Sequence, residues 1–172
     1  MFQNPEIALD ALPGSDDLNW QALHHNYKQR LLVERLITLL IIFAAITAAV
    51  FILGIPIFQA GLLWSMIAIA ALALLVWPSI SVPRRGYVLR DKDMLFRSGV
   101  VWQSVTAVPF NRIQHVETSS APLDRKFGLA TLQLFTAGGS SGDLKIDGLG
   151  HDKAEQLRVF ILERAGATIE HA

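Results

Sequence analysis

The longest feature of the hydrophobic pattern is a run of 48 consecutive uncharged residues, from Leu36 to Pro83. One bilayer crossing by a helix takes about 20 apolar residues, so this run is long enough for two crossings. The segment GIPIFQAG, Gly54 to Gly61, interrupts the run with a proline and flanking glycines that favour a turn. The pattern therefore predicts a transmembrane hairpin over residues 36–78, with spans at about 36–53 and 61–77.

Four apolar residues ahead of this run recur at helical spacing: Trp20, Leu23, Tyr27 and Leu31. Because steps of three and four residues place side chains on one face of a helix, the pattern predicts an amphipathic juxtamembrane helix over residues 20–35. That helix either lies along the membrane surface or packs on a soluble domain. Residues 1–19 contain four acidic residues and no basic one, and they form an acidic N-terminal leader.

After Ser79 the pattern changes from helical periodicity to short segments rich in β-branched and aromatic residues. Six segments predict strands, with a hairpin turn at residues 91–93 and a later bend at Gly99: YVLRD, MLFRSGVVWQ, SVTAVPF, RIQHVET, LATLQLF and LKIDG. In LATLQLF, Leu132 and Leu134 alternate with polar or aromatic neighbours, so they point to one face of the strand.

Two helical segments accompany these strands. SAPLDRKFG predicts a short helical turn that ends at Gly128, and HDKAEQLRVFILERAG predicts an amphipathic helix that ends before Gly166. The apolar face of the second helix contains four residues: Ala154, Leu157, Phe160 and Ile161. About seven strands covered by a C-terminal helix predict an α+β membrane protein with a small β-barrel or sandwich over residues 79–166, followed by a tail at 167–172.

Basic residues flank the two spans on one side only. Lys28, Arg30 and Arg35 precede the first span, the loop between the spans has no charge, and four bases flank the second span: Arg84, Arg85, Arg90 and Lys92. Because basic flanks stay in the cytoplasm, this asymmetry predicts that both termini are cytoplasmic. Neither span contains an ionisable residue, and transport pathways usually require them, so the hairpin is predicted to be an anchor rather than a transporter or channel.

The composition excludes several kinds of chemistry. Without cysteine, the chain has no disulfide, thiolate nucleophile or cysteine-ligated metal site. His24 and His25 are adjacent, so they do not form the i, i+4 pair of a helical metal site. The glycine-rich run at residues 137–143 lacks the lysine and the following helix of a phosphate-binding loop. The sequence therefore predicts no enzymatic activity, no cofactor or metal, and no nucleic-acid partner.

The segment PFNRIQHVET, residues 109–118, groups four polar residues that suggest a site: Arg112, Gln114, His115 and Glu117. In an extended strand Arg112 and Gln114 face one side whereas His115 and Glu117 face the other, so the four do not converge. This division disfavours a catalytic cluster. It favours either a structural role, in which Arg112 bonds a loop and His115 pairs with Glu117, or a role in protein recognition.

The order of several motifs is similar to that of a known family. After the two spans come RRGYVL, FRSGVV, VPFNRIQHVE, LDRKFGLATLQLFTAG, IDGL and a terminal helix. From about Trp20 to Ala165 the chain resembles the YdbS-like family of membrane-anchored bacterial pleckstrin-homology-like (PH-like) domain proteins, with RIQHVE and RKFGLATL as the most specific motifs. The resemblance implies a PH-like barrel at the cytoplasmic face of a bacterial inner membrane. It also implies no known enzymatic activity and a candidate partner that carries tandem copies of the domain.

Two functional hypotheses follow. The first is a non-enzymatic anchor that presents the PH-like domain for protein–protein interaction, either with a relative that carries tandem PH-like domains or with copies of itself. The alternative is a sensor of anionic lipid headgroups, in which each base near the membrane contributes ~1 kcal/mol. Its candidate residues are five bases that follow the second span: Arg84, Arg85, Arg90, Lys92 and Arg97.

Overall fold

The computed structural model describes residues 18–54, 56–137 and 144–169. The helices within these residues are α1 (Asn26–Leu53), α2 (Ile57–Ser81), α3 (Pro122–Lys126) and α4 (His151–Ile169). The strands are β1 (Gln21–Ala22), β2 (Gly86–Leu89), β3 (Asp93–Ser98), β4 (Ser104–Pro109), β5 (Ile113–Ser119), β6 (Leu129–Thr136) and β7 (Leu144–Gly150). Most of the predicted acidic leader, most of the glycine-rich run and the end of the predicted tail lie outside the described residues.

The uncharged run folds into α1 and α2, and both helices are long and apolar enough to cross a membrane. They pack against each other, with the rings of Phe43 and Trp64 4.6 Å apart. Gly54 ends α1 in a left-handed conformation with a φ of 60°. The interruption is shorter than predicted, since α2 begins at Ile57 instead of residue 61. Pro56 stands just ahead of the first turn, where its missing backbone donor costs nothing.

The segment ahead of α1 differs from the prediction. Instead of a helix over residues 20–35, the structure has strand β1, and α1 begins at Asn26 and continues without a break into the first span. Strand β1 pairs with β2, and the backbone N–H of His24 donates to the carbonyl of Gly148 at 2.9 Å. These bonds satisfy backbone groups that the first turn of a helix leaves open, so the tertiary contacts override the local helical pattern.

The strands form two antiparallel sheets, in the orders β1-β2-β3-β4 and β5-β6-β7. Six of these seven described strands lie in the predicted segments, and β1 is the addition. Gly128 has a φ of 67° after α3, as the predicted left-handed cap requires. Helix α4 continues past Gly166 to Ile169, so its predicted end is wrong. The predicted α+β fold class, with seven strands and a C-terminal helix, is confirmed.

The core of the domain lies between the two sheets and α4. Besides Ala154, five large side chains of this core are 0% exposed: Met94, Leu132, Leu134, Ile146 and Ile161. They come from β3, β6, β7 and α4, so the core joins both sheets and the C-terminal helix. Burial of each such side chain contributes about 1.5–3 kcal/mol relative to exposure to water.

The two ends of the helical hairpin meet in one sheet. Strand β1 precedes α1 and strand β2 follows α2, and they are neighbours, with Gln21 opposite Tyr87 and Ala22 opposite Gly86. A sheet outside the bilayer lies on one side of it, because unpaired strand edges are not tolerated among lipid chains. In a membrane crossed by α1 and α2, both ends of the hairpin therefore lie on the same side.

Candidate functional site

The first turn of α1 is embedded in the domain. Tyr27 is 4% exposed and its ring lies against Gly148 of β7. A Cβ atom at Gly148 would stand 2.6 Å from Cδ1 of that ring, and the residue has a φ of +78°, so glycine alone fits both constraints. The hydroxyl of Tyr27 accepts a hydrogen bond of 3.1 Å from Nη1 of Arg85, which follows α2. Tyr27 thus connects both membrane helices to the three-stranded sheet.

A buried polar contact adds a second connection. Nε of Arg30, on α1, donates to Oδ1 of Asp124 at 2.7 Å, and both side chains are mostly buried. The other carboxylate oxygen of Asp124 accepts the backbone N–H of Ala121 at 3.2 Å, at the start of α3. Arg30 was assigned only a topological role from the sequence, and the structure gives it a bond to the domain. We call the contacts of Tyr27 and Arg30 the joint.

The joint borders an open polar cleft of about 370 Å³ between α1, α3 and the strands β6 and β7. Inside the cleft, Oγ1 of Thr131 donates to Oδ1 of Asp147 at 3.0 Å, and Nζ of Lys145 lies 3.5 Å from the same oxygen. Two cations face two carboxylates there, and each has a partner within the chain. Because these charges balance, the cleft does not select an anionic or a cationic ligand, and we assign it to the joint.

The structure divides the five bases considered for headgroup binding between the two ends of the β2–β3 ladder. Gly86 pairs with Arg97 at the end next to α2. Three of the bases share that end: Arg84, Arg85 and Arg97. Arg90 and Lys92 occupy the hairpin at the opposite end, five residues along the strands from Arg85 and Arg97, or about 16 Å at the rise of a strand. The five therefore do not form one pocket.

Several of these bases also have partners within the domain. The guanidinium of Arg97 lies 4.6 Å from the centroid of the Trp20 ring, an attractive cation–π geometry. Arg90 makes two hydrogen bonds to the carboxylate of Asp93 across the distal hairpin. Arg90 and Arg97 thus already have partners within the domain, and headgroup sensing stays a prediction.

The alternation predicted for the RIQHVET strand is wrong ahead of His115, because a bulge there shifts the register of β5. Ile113 pairs with Thr136 while His115 pairs with the neighbouring Phe135, which leaves Gln114 as an extra residue. The periodicity of a single short segment does not predict a bulge, because a bulge is defined by the pairing of one strand with another, here β5 with β6.

The bulge leaves all four polar candidates of this segment exposed: Arg112, Gln114, His115 and Glu117. Ile113 and Val116 fill the core instead. The ring of His115 lies 5.6 Å from that of Phe135, and in the described part of the chain no ion pair joins His115 to Glu117. The segment is thus an exposed polar surface formed by β5 and the turn that precedes it.

Strand β4 forms an outer edge of the four-stranded sheet. Among the described strands it pairs with β3 alone, and five of its six residues are exposed, with Val105 at 48%. Edge strands usually carry charges or prolines that oppose unwanted pairing. Strand β4 has no charged residue, and its one proline, Pro109, stands at its end. An exposed, uncharged edge is a place where a further strand can add. The sequence predicted this strand but not its edge position, because strand order is not encoded in local periodicity.

Titratable groups near the joint include His24. Its Nδ1 accepts the backbone N–H of Asn26 at 3.3 Å. Burial, and secondly the neighbouring His25, lowers the pKa of His24 from its ordinary value. Within the described residues, no three His, Asp or Glu side chains are grouped as a metal ion requires.

Two helices able to span a membrane, sheets of four and three strands and a C-terminal helix define a membrane-anchored PH-like domain. The bacterial PH domain family matches residues 36–165, so the chain belongs to that family. The chain is similar to the UPF0699 transmembrane protein YdbS of Bacillus subtilis (strain 168), with 33% identity over 82 residues. The match covers 48% of this chain and about half the length of that relative, 50%. No solved structure shows significant similarity. The predicted YdbS-like membership is confirmed.

Proposed function

We propose that this chain holds a PH-like domain at the cytoplasmic face of a bacterial inner membrane, with both termini in the cytoplasm, where the domain assembles with a second PH-like domain. The observation that carries this proposal is the exposed, uncharged edge of β4. The partner is either another copy of this chain or a relative with tandem PH-like domains. The proposal includes no catalytic step.

Strand addition at β4 would extend the four-stranded sheet by main-chain hydrogen bonds. The register of β4 with β3 runs without a shift from Ser98–Ser104 to Asp93–Pro109, so the free edge is regular. Its exposed side chains alternate between the two faces and would select the incoming strand: Ser104, Val105, Thr106 and Ala107. Main-chain bonds would supply affinity, and these small side chains would allow close approach.

The anchor favours pairing between domains of the same membrane. Tyr27 and Arg30 attach the domain to α1, so β4 keeps one height relative to the bilayer. Two domains held at the same height meet edge to edge, and confinement to a membrane raises their effective concentration. The cytoplasmic orientation is supported by the basic residues on both flanks of the hairpin and the uncharged loop between its helices.

Recognition of anionic headgroups by the basic residues is the less favoured function, because Arg84 and Arg97 lie at one end of the ladder and Arg90 and Lys92 at the other. Edge pairing needs one continuous strand, and β4 offers it.

A photocrosslinking experiment on the full-length chain tests the assembly. The sequence has no cysteine, so a benzophenone group attached to Thr106→Cys reports contacts of β4 alone. In native membranes we expect an adduct with a second copy or with another PH-like protein, identified by mass spectrometry. The matched variant Gln156→Cys, exposed on α4, should give no such adduct.

A variant with a charge on the β4 edge tests whether the crosslink depends on strand pairing. Val105→Lys should strongly reduce the adduct formed from Thr106→Cys, because a charge on an edge strand opposes pairing. Its thermal unfolding should stay unchanged, since Val105 is half exposed. Gln156→Lys adds the same charge elsewhere and should leave the adduct intact. Recovery of monomer alone from the Thr106→Cys chain would overturn the proposal.

A further inference from the structure

Two apolar side chains stand exposed at the tip of the β3–β4 hairpin. Val101 is 76% exposed and Trp102 is 88% exposed, the highest values among the large apolar residues described outside α1 and α2. Single exposed apolar residues are ordinary, but two adjacent ones that include a tryptophan form a patch that favours a partner. Edge pairing through β4 makes no use of this tip.

The tip has a defined geometry. Gly99 has a φ of +109°, and a Cβ atom there would lie 2.8 Å from the carbonyl carbon of Trp102, so the turn requires glycine. The hydroxyls of Ser98 and Ser104 are 3.2 Å apart across its base. Val101 and Trp102 are therefore held outward by a closed turn.

The tip lies beside the point where α2 ends. Arg84 follows α2 by three residues, and its Nη1 donates to the carbonyl of Val100 at 3.0 Å. The register of β2 with β3 places Arg97 opposite Gly86, the first residue of β2. The end of α2, the end of β3 and the tip are thus neighbours. In a membrane crossed by α2, this neighbourhood lies next to the lipid headgroups.

The chemistry of the tip matches that location. Residues 99–105 carry no charge, while Arg84 and Arg97 flank them. An indole ring prefers the boundary between headgroups and acyl chains, and flanking bases are attracted to anionic phosphates. Trp77, near the end of α2, is 43% exposed and would lie in the same boundary.

We propose that the β3–β4 tip, with Val101 and Trp102, inserts into the interface of the same membrane that α1 and α2 cross. The lipid surface is then a third point of attachment beside the two helix ends. Three points of attachment fix the tilt of the domain as well as its height above the membrane. The free edge of β4 then points parallel to the membrane plane. The proposal is independent of which protein pairs with that edge.

Depth-dependent quenching tests the insertion. The full-length Trp102→Cys chain, labelled with an environment-sensitive fluorophore, is reconstituted in phosphatidylcholine–phosphatidylglycerol vesicles. We expect blue-shifted emission and strong quenching by lipids that carry a nitroxide near the headgroup. The matched variant Lys92→Cys places the label on the opposite hairpin, where emission should remain that of a water-exposed probe.

Because the label is itself apolar, a second label position is needed to distinguish insertion caused by the tip residues from insertion caused by the label. Gln103→Cys carries the label beside an intact Trp102 and should also be quenched. Adding Trp102→Asp should release that quenching without changing the thermal unfolding of the domain, because the side chain is exposed. Equal, weak quenching at positions 92 and 102 would overturn the proposal. So would a blue shift that appears only in native membranes and not in vesicles, because a protein partner would then cover the tip.

Discussion

In the membrane hairpin and in the PH-like domain, similar leucine side chains face opposite surroundings. Leu40 of α1 is 69% exposed and Leu72 of α2 is 65% exposed, whereas Leu132 and Leu134 of β6 are 0% exposed. Burial from water stabilises the domain, but contact with lipid gives the two helices no comparable drive to pack on each other. Hydrophobicity therefore places the hairpin in lipid and the leucines of β6 in the protein core. It does not fix the orientation of the domain relative to the hairpin.

The joint supplies that orientation by specific contacts. It consists of the Tyr27 ring against Gly148, the hydroxyl of Tyr27 with Arg85, and the Arg30–Asp124 pair. These contacts depend on distance and direction, unlike apolar burial. The comparison between hairpin and domain can therefore be tested at the core, at the joint and at the edge of the joint.

The largest expected effect is in the core. Leu132→Ala should reduce the free energy of unfolding of the domain by about 2–5 kcal/mol, because a fully buried side chain is lost and a cavity is left. Leu40→Ala, the same change on the lipid-facing side of α1, should leave it almost unchanged. Chemical denaturation of the detergent-solubilised full-length chain, followed by near-UV circular dichroism, measures both. Equal losses would mean that the two regions do not differ as described.

An intermediate effect is expected at the joint. Gly148→Ala combines a left-handed backbone, which costs roughly 1–2 kcal/mol, with a Cβ atom driven into the Tyr27 ring. Gly128→Ala is the matched control, because it has a similar φ of +67° but nothing within 4 Å of the added atom. Thermal unfolding should show a larger loss for Gly148→Ala, and the difference between the two variants measures the ring contact.

A double variant checks the origin of that difference. Tyr27→Ala removes the ring, so adding Gly148→Ala to it should cost no more than Gly128→Ala costs in the parent chain. Additive losses for Tyr27→Ala and Gly148→Ala would show that the two residues do not act through their contact.

Local periodicity was enough to predict the features that depend on one segment at a time. The uncharged run gave both spans, alternation placed Leu132 and Leu134 in the core, and the apolar face of α4 was correct at Ala154, Leu157 and Ile161. The position of each of these residues depends on whether its side chain prefers water or an apolar surrounding. That preference is a property of the side chain, so the spacing of apolar residues in one segment is enough to predict it.

The features that were missed depend on pairing between distant segments. Strand β1 forms because its backbone finds β2 after some sixty intervening residues, although the local pattern is helical. The extra residue Gln114 and the separation of Arg97 from Arg90 follow from strand register, which no local pattern carries. The bend predicted at Gly99 is present, but it forms the turn between β3 and β4, so Trp102, which was predicted within a strand, is exposed in that turn.

The smallest expected effect is a pH dependence at the edge of the joint, where His24 precedes α1. Its Nδ1 accepts the N–H of Asn26, which requires the neutral ring, and burial followed by the adjacent His25 lowers the pKa of His24 from 6.5. The pKa in the folded state is thus below that in the unfolded state. The unfolded chain therefore binds more protons as the pH falls below about 6.5, and the folded state loses stability there.

Thermal unfolding of the full-length chain between about pH 7.5 and about pH 5 should therefore show a stability that is complete at the upper end and declines toward the lower end as the pH passes the folded pKa of His24. His24→Gln should flatten part of this decline, because a neutral side chain takes up no proton on unfolding. His25→Gln removes the neighbouring charge and should flatten it less, since burial is the larger cause of the lowered pKa of His24. An unchanged decline in His24→Gln would assign the pH dependence to groups away from the joint, and the joint would then be held by contacts that do not respond to protons.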